Sequence, residues 1–129
     1  MVYSGGKVAK TMTPVFICYF KCTTCQKAKK WLEANGVAFE ERPIKEQNPT
    51  LDELRAWQKQ SGLPLRKFFN TSGQIYRQME LTKKLPGMTD EDMLALLASD
   101  GMLVKRPLLV TADTVLVGFK EEAWAKALL

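Results

Sequence analysis

Histidine is absent from the 129 residues, and this absence excludes several kinds of chemistry. Without an imidazole the chain can form neither a Ser-His or Cys-His nucleophile pair nor a histidine-ligated metal site. Its three cysteines, Cys18, Cys22 and Cys25, cannot by themselves complete the usual four-ligand structural zinc site. Any reaction must therefore use thiols, carboxylates, lysine or arginine.

Long apolar runs are also lacking, since the longest covers only residues 15–20, far short of the ~20 residues that span a bilayer. The first residues, MVYSGGKVAKTMTP, hold no apolar stretch of the kind that a secretory signal needs. An odd number of cysteines argues against a secreted disulfide framework. We therefore expect a cytoplasmic protein without membrane contact, with a flexible arm over residues 1–13 and one domain over residues 14–129.

Acidic residues are missing from residues 1–32, which hold six lysines, whereas the rest of the chain is nearly balanced. The net charge of +5 therefore arises around and before the cysteine pair. This pattern indicates either a solvated lysine-rich helix face or a field that attracts anions and favours thiolate over thiol. No basic run with interleaved aromatic residues is present, so we expect no direct binding of nucleic acid.

The apolar patterns of the first 44 residues predict a βαβ unit. Residues 15–20 are continuously apolar, as in a strand buried on both faces. A helix is predicted from Thr23 to Asn35, with Gly36 ending it, and residues 37–44 follow as a second strand. A strand, a helix and a strand in so short a span are typical of a parallel pair.

The middle of the chain, about residues 45–104, is predicted to be a helical insert. Thr50 and Thr89 each begin a helix as capping residues, and the second of these helices is expected to end at Gly101. Between them, Pro64 opens a short turn of helix.

Two short strands and a helix complete the pattern. Residues 107–110 and 114–117 predict an antiparallel hairpin, and residues 120–129 predict a helix. The full order is β-α-β, helical insert, β-β-α. It predicts an α/β fold with a mixed sheet and helices packed on it, as in the thioredoxin-like core.

The motif Cys22-Thr23-Thr24-Cys25 directly follows the buried strand and opens the first helix. Unpaired N–H groups and the positive end of the helix dipole stabilise a thiolate there, and such placement lowers a cysteine pKa from ~8.5 to about 3.5–7.5. A spacing of three lets Cys25 reach back to Cys22. We expect Cys22 to be the nucleophile and Cys25 the resolving thiol, with Lys21, Thr23 and Thr24 helping to hold an anion.

Two alternatives stay open for this cysteine pair. The thiols could be half of a zinc site shared between subunits, or they could be inert. Cys18 lies inside the apolar strand and is expected to be a core residue.

A second motif, Lys105-Arg106-Pro107, leads into the third strand. A proline at the first position of a strand lacks only a donor that the ladder can spare, so an ordinary strand start also explains it. In thioredoxin-type folds, however, a cis-proline loop at this point faces the CxxC motif. Arg106 would then present guanidinium donors to a thiolate or a bound oxyanion, which makes Arg106 and Pro107 candidate site residues.

Four stretches of the chain are distinctive in combination: YFKCTTCQKAKKWLEANG, LRKFFNTSGQIYR, SDGMLVKRPLLV and VLVGFKEEAW. Together they resemble the arsenate reductase-like family, which also contains the Spx-type redox regulators, over roughly residues 15–128. The resemblance implies a thioredoxin-like core with a helical insertion and a nucleophilic Cys22. It implies no bound cofactor, with glutathione and glutaredoxin or thioredoxin as the electron donor. For an Spx-type regulator it implies the RNA polymerase α subunit as partner.

Arsenate reductases of this family hold arsenate with arginines, one of which matches Arg106. Where two others are expected, this chain has Asn70 and, after the final strand, Gly118-Phe119. An oxyanion loses charge-assisted hydrogen bonds on such changes, each worth ~1.5–3 kcal/mol. We therefore expect a thiol–disulfide oxidoreductase with an internal Cys22–Cys25 disulfide, and Asn70 in its anion-binding set. An Spx-type redox-sensing regulator is the alternative.

Overall fold

The computed structural model describes residues 13–129. In chain order its elements are β1 (Val15–Cys18), α1 (Thr23–Ala34), β2 (Glu40–Pro43), α2 (Leu51–Ser61), α3 (Gln74–Gln78), α4 (Leu81–Lys84), α5 (Asp90–Ser99), β3 (Leu108–Val110), β4 (Val115–Val117) and α6 (Glu121–Leu128). Three 3-10 turns cover Leu65–Phe68, Leu85–Gly87 and Gly101–Leu103. The predicted flexible arm lies outside the described residues except for Thr13.

The strands form one mixed sheet with the order β2-β1-β3-β4. β1 and β2 are parallel and joined by α1, whereas β3 pairs antiparallel with both β1 and β4. β1 is therefore an interior strand, which explains why its apolar residues 16–18 are all buried. The predicted α/β fold class, with a mixed sheet and helices packed on it, is confirmed.

Alternate residues of the sheet face two separate apolar clusters. Phe16, Cys18 and Leu109 face the layer of α1 and α6, where Trp124 is fully buried. Ile17 belongs to the opposite cluster, which the helices between β2 and β3 cover. The period-2 alternation of a strand thus sends one side of β1 toward the CxxC helix and the other toward the helical insert.

Several predicted boundaries differ from the structure. β1 ends at Cys18 rather than at residue 20, because the chain turns there and the Cys22 N–H donates to the Tyr19 carbonyl over 2.9 Å. β2 begins only at Glu40, since the Val37 N–H donates to the Leu32 carbonyl of the preceding helix instead of to a strand. No helix within residues 13–129 combines the length and apolar character needed to cross a membrane.

The predicted role of Gly101 was wrong. α5 ends at Ser99, and the extended Asp100, with φ −157°, breaks it; Gly101 then begins a 3-10 turn without a positive φ. Its need for glycine comes from close packing, because a Cβ at this position would lie 2.1 Å from the Ile44 carbonyl oxygen.

We predict that Gly101→Ala lowers the free energy of unfolding by about 2–4 kcal/mol, because backbone must move to admit the methyl group. Gly87→Ala is the matched control, since nothing lies within 4 Å of a Cβ there and its φ is not positive. Urea unfolding of both variants measures the difference. Equal stability of the two variants would contradict the packing at Gly101.

Candidate active site

Cys22 lies at the junction where β1 passes into α1. It is the N-cap residue of α1, with the extended dihedral angles φ −84° and ψ 120°, and its carbonyl accepts the first helical bond, from Gln26 N–H over 3.0 Å. The Gln26 side chain in turn donates to the Phe20 carbonyl over 2.9 Å, which fixes the preceding turn. These bonds place the half-buried Cys22 sulfur at the amino end of the helix.

The surroundings of Cys22 favour its anion. Burial by itself would raise the pKa of the Cys22 thiol, but the backbone N–H and the thiol of Cys25, the Arg106 guanidinium and the Thr24 N–H together hold that pKa below its ordinary value. The sulfur is therefore more readily ionised than an ordinary cysteine.

Cys25 is the opposite case, although it lies only one helical turn away. Its side chain is 3% exposed, and burial together with the nearby Cys22 raises the pKa of its thiol to about 12, despite the Tyr19 N–H that donates to its sulfur over 3.4 Å. Both thiols are free, with no disulfide between them. The pair thus combines a thiol that ionises easily with one that keeps its proton.

Cys18 is a buried core residue, as expected from its place in β1. Burial and the Glu41 carboxylate raise the pKa of its thiol to about 11, and its sulfur lies 3.9 Å from a Glu41 oxygen. Glu41 also forms an ion pair with Lys29 over 2.8 Å. These surroundings give Cys18 no thiolate character.

Arg106 brings a guanidinium to Cys22 from the loop before β3. The Arg106–Pro107 peptide bond is cis. The guanidinium carbon lies 5.2 Å from the ring centre of Tyr19, Nη1 makes a long 3.5 Å hydrogen bond to the Met102 carbonyl, and Nε is buried without a partner. Arg106 therefore keeps unused donor capacity beside the thiol.

The structure brings four of the sequence-predicted site residues to one cleft of about 520 Å³, namely Cys22, Thr24, Asn70 and Arg106. The volume lies in the range of small-molecule sites. Because Cys22 lines this cleft while Cys25 is buried, a ligand meets Cys22 first.

The other four predicted residues lie outside the cleft lining, namely the buried Cys25 together with Lys21, Thr23 and Pro107. Lys21 is exposed, and its Nζ lies 5.6 Å from the ring centre of Phe20. Thr23 is exposed at the first position of α1, and Pro107 is buried, with its carbonyl accepting from the Gly118 N–H over 2.8 Å. The cation that lowers the pKa of Cys22 is therefore Arg106, which the fold brings in from a distant segment.

Asn70 holds a fixed position in the cleft wall. Its N–H donates to the Leu103 carbonyl over 2.8 Å, and Ser72 Oγ lies 3.3 Å from its side-chain oxygen as a donor. A Cβ on Gly73 would lie 2.7 Å from the Asn70 amide nitrogen, so the side chain packs directly on that glycine. Asn70 supplies a neutral hydrogen-bonding group at this point.

Sequence reasoning missed two cations of the cleft, Lys105 and Lys120. Lys105 precedes Arg106 in the second motif, but the position of its side chain depends on a contact with Gly118, which is distant in sequence. Lys120 was read only as the start of the last helix. Among residues 13–129, no three Cys, Asp or Glu side chains are grouped so that they could hold a metal ion.

Comparison with known protein families identifies the family of this chain. The family model described as ArsC family matches residues 18–127, most of the sequence. The chain belongs to the ArsC family. The match begins within β1 and ends within α6, so it includes the CxxC motif, the helical insert and the Arg106–Pro107 loop.

The relatives of this ArsC-family chain include an uncharacterized protein and two proteins described as regulators. The chain is 52% identical over 118 residues to the uncharacterized protein YusI of Bacillus subtilis (strain 168). This aligned region covers 88% of this chain and 100% of YusI. It is 30% identical over 104 residues to the regulatory protein MgsR of the same strain, covering 81% of each. With the global transcriptional regulator Spx of Staphylococcus haemolyticus it shares 25% identity over 101 residues, covering 78% of this chain and 76% of Spx.

Solved structures agree on the fold. An ArsC family related protein from Bacteroides fragilis has a TM-score of 0.88 at 56% identity, covering 89% of this chain and 97% of that one. A protein described as a possible arsenate reductase from Streptococcus mutans UA159 has a TM-score of 0.80 at 40% identity, covering 88% and 98%. The thioredoxin-like architecture predicted for the family is thus confirmed.

We predict that Cys22 reacts with iodoacetamide at a lower pH than an ordinary cysteine, because its lowered pKa produces thiolate at pH values at which ordinary thiols are still protonated. Cys25 should stay unreactive until strongly alkaline pH. Arg106→Gln should move the Cys22 profile to higher pH, since it removes a cation that favours the thiolate, whereas Arg106→Lys should move it less.

The measurement is the alkylation rate against pH, with each cysteine resolved by peptide mass spectrometry. The exposed Lys126→Gln serves as a charge-matched control on α6. A Cys22 profile that is the same in Arg106→Gln and wild type would contradict the role given to this guanidinium.

Proposed function

We propose that this ArsC-family chain is a cytoplasmic thiol–disulfide oxidoreductase, with Cys22 as nucleophile and Cys25 as resolving thiol. The observation that carries the proposal is the asymmetry of the pair: the pKa of the cleft-facing Cys22 is lowered, whereas that of the buried Cys25 is raised to about 12. A nucleophile that ionises more readily than an ordinary thiol and lines the cleft, beside a buried partner that keeps its proton, is the arrangement that two-step disulfide exchange needs.

In the first step the Cys22 thiolate attacks one sulfur of a substrate disulfide. A bond forms between Cys22 and that sulfur, and the other substrate sulfur leaves as a thiolate. Arg106 lies where it can stabilise negative charge on the attacking and leaving sulfurs, because its buried Nε has no partner and its Nη1 bond is long. The product is a mixed disulfide on Cys22.

In the second step Cys25 loses its proton and attacks the Cys22 sulfur. Once Cys22 is bonded, its negative charge no longer raises the pKa of Cys25, while the Tyr19 N–H still stabilises the Cys25 sulfur. The second substrate thiolate leaves and the proton from Cys25 passes to it. The thiolate released in the first step takes its proton from water, so the substrate gains two electrons and becomes two thiols, and the chain is oxidised to the Cys22–Cys25 disulfide.

A reductant must then restore the dithiol. We infer a glutathione–glutaredoxin or thioredoxin system, because the cleft around Cys22 is open to a small thiol or to the redox site of a partner protein. Arsenate is a poorer substrate in this scheme. The neutral Asn70 and the side-chain-free Gly118 leave Arg106 as the one guanidinium among the cleft residues.

We predict that Cys22→Ser lowers disulfide-reducing turnover by at least about 1,000-fold, because the nucleophile is lost. Cys25→Ser should complete only the first step and accumulate a mixed disulfide on Cys22, detectable as added mass that a thiol reductant removes. Turnover is measured with a small disulfide and either glutathione with glutaredoxin or thioredoxin with its reductase. The mixed disulfide of Cys25→Ser is instead trapped with the small disulfide alone, because those thiols would remove it.

Cys18→Ala is the matched control, since it removes the third thiol and is expected to cost about 1 kcal/mol of stability without loss of turnover. Turnover by Cys22→Ser equal to wild type would contradict the proposal.

Regulation of transcription is the second candidate function, favoured by the likeness to MgsR and Spx over about four-fifths of the chain. In this function the Cys22–Cys25 disulfide would act as a switch that changes the affinity for the RNA polymerase α subunit. The exposed Phe20, whose side chain is 71% accessible three residues before Thr23, is an apolar group available for such a contact beside the switch.

For this second function we predict that oxidised and reduced protein differ in affinity for the C-terminal domain of the α subunit by at least about tenfold, because formation of the disulfide changes the conformation of the amino end of α1. Titration calorimetry with both redox forms measures this. Cys25→Ser, which cannot form the internal disulfide, should then bind equally under oxidising and reducing conditions. Equal binding of the two wild-type forms would leave only the enzyme proposal.

A further inference from the structure

The cleft in front of Cys22 carries positive charge that its own lining does not neutralise. Arg106, Lys105 and Lys120 line it, and no aspartate or glutamate does. None of the three forms a salt bridge with an acid of the described segment 13–129. The cleft therefore favours a ligand with negative charge.

Lys105 is positioned in this cleft by a glycine. A Cβ on Gly118 would lie 2.9 Å from Lys105 Cε and 4.0 Å from its Nζ, so the lysine stem packs over bare backbone. The backbone at Gly118 is itself fixed, with φ +75°, its N–H bonded to Pro107 and its carbonyl accepting from Trp124 Nε1 over 3.0 Å. At the other end, the Lys105 N–H donates to the Phe68 carbonyl over 2.7 Å.

Two cationic functions can be distinguished in the cleft. Arg106 acts on the Cys22 sulfur, as the lowered pKa of that thiol reflects. In the proposed reaction Arg106 also serves the negative charge of the leaving sulfur, and the disulfide itself is uncharged, so the reacting atoms do not require a further cation. The Lys105 ammonium is therefore available to a charged group elsewhere on the substrate.

Building on the proposed function, we propose that Lys105, held over Gly118, is a specificity-determining residue that binds a carboxylate of the substrate, and that the substrate class is small disulfides bearing a carboxylate. The cleft of about 520 Å³ accommodates such a molecule. The reaction is the same two-electron exchange: the substrate disulfide becomes two thiols, and Cys22 and Cys25 become a disulfide.

The test measures how fast the reduced protein is oxidised by three small disulfides: dithiodipropionate, which is anionic, bis(2-hydroxyethyl) disulfide, which is neutral, and cystamine, which is cationic. No other reductant is present. The rate of each is divided by its rate with free cysteine, which removes the intrinsic reactivity of the disulfide. We expect the anionic disulfide to be preferred.

Lys105→Met keeps the apolar stem and removes the charge. It should lower the preference for the anionic over the neutral disulfide about fivefold, the size expected for one exposed charge pair, and raise the relative rate of the cationic one. Lys105→Arg should keep most of the preference, and 0.5 M salt should weaken it in the wild type.

Lys126→Met is the control, since this exposed lysine lies on α6 outside the cleft lining. If Lys105→Met slows all three disulfides equally or leaves their ratios unchanged, the assignment of Lys105 is overturned while the oxidoreductase proposal stands. If the wild type reacts with none of the three, the proposed function itself fails.

Discussion

The stabilisation that the amino end of α1 offers to a negative charge on Cys22 is the interaction on which the site depends. Burial opposes that charge, and it is overcome only because the N–H groups of Cys25 and Thr24, the Cys25 thiol and the Arg106 guanidinium all act on the same sulfur. The strand-to-helix turn makes this possible. Its bond from Cys22 N–H to the Tyr19 carbonyl fixes the sulfur where the helix N–H groups lack intrahelical partners.

The rest of the fold keeps this arrangement rigid. β1 is an interior strand, so the turn after it is anchored by neighbours on both sides. β3 pairs directly with β1, which brings the Arg106–Pro107 loop beside the CxxC motif. The side chain of Trp124 packs beneath in the same apolar cluster as Cys25 and bonds the Gly118 carbonyl, so α6 supports the other wall of the cleft.

Features that depend on a few neighbouring residues were predictable from the sequence. The capping boxes at Thr50 and Thr89 and the placement of the cysteine pair at a helix start follow from local chemistry. The short helices α3 and α4 were not assigned, because they are separated by Glu80 in a left-handed conformation that no pattern indicates. The packing of the Lys105 side chain on Gly118 was also not predicted, because it is a contact between segments that are distant in sequence.

The pairing of Cys22 with Cys25 is tested most directly by a redox titration of the folded protein in glutathione buffers, with acid quenching and peptide mapping of every disulfide. We expect one two-electron transition that joins Cys22 to Cys25. Cys18 should remain a free thiol at every potential. A titration in which no internal disulfide forms, or in which Cys18 is one of its partners, would contradict the roles given to Cys22 and Cys25.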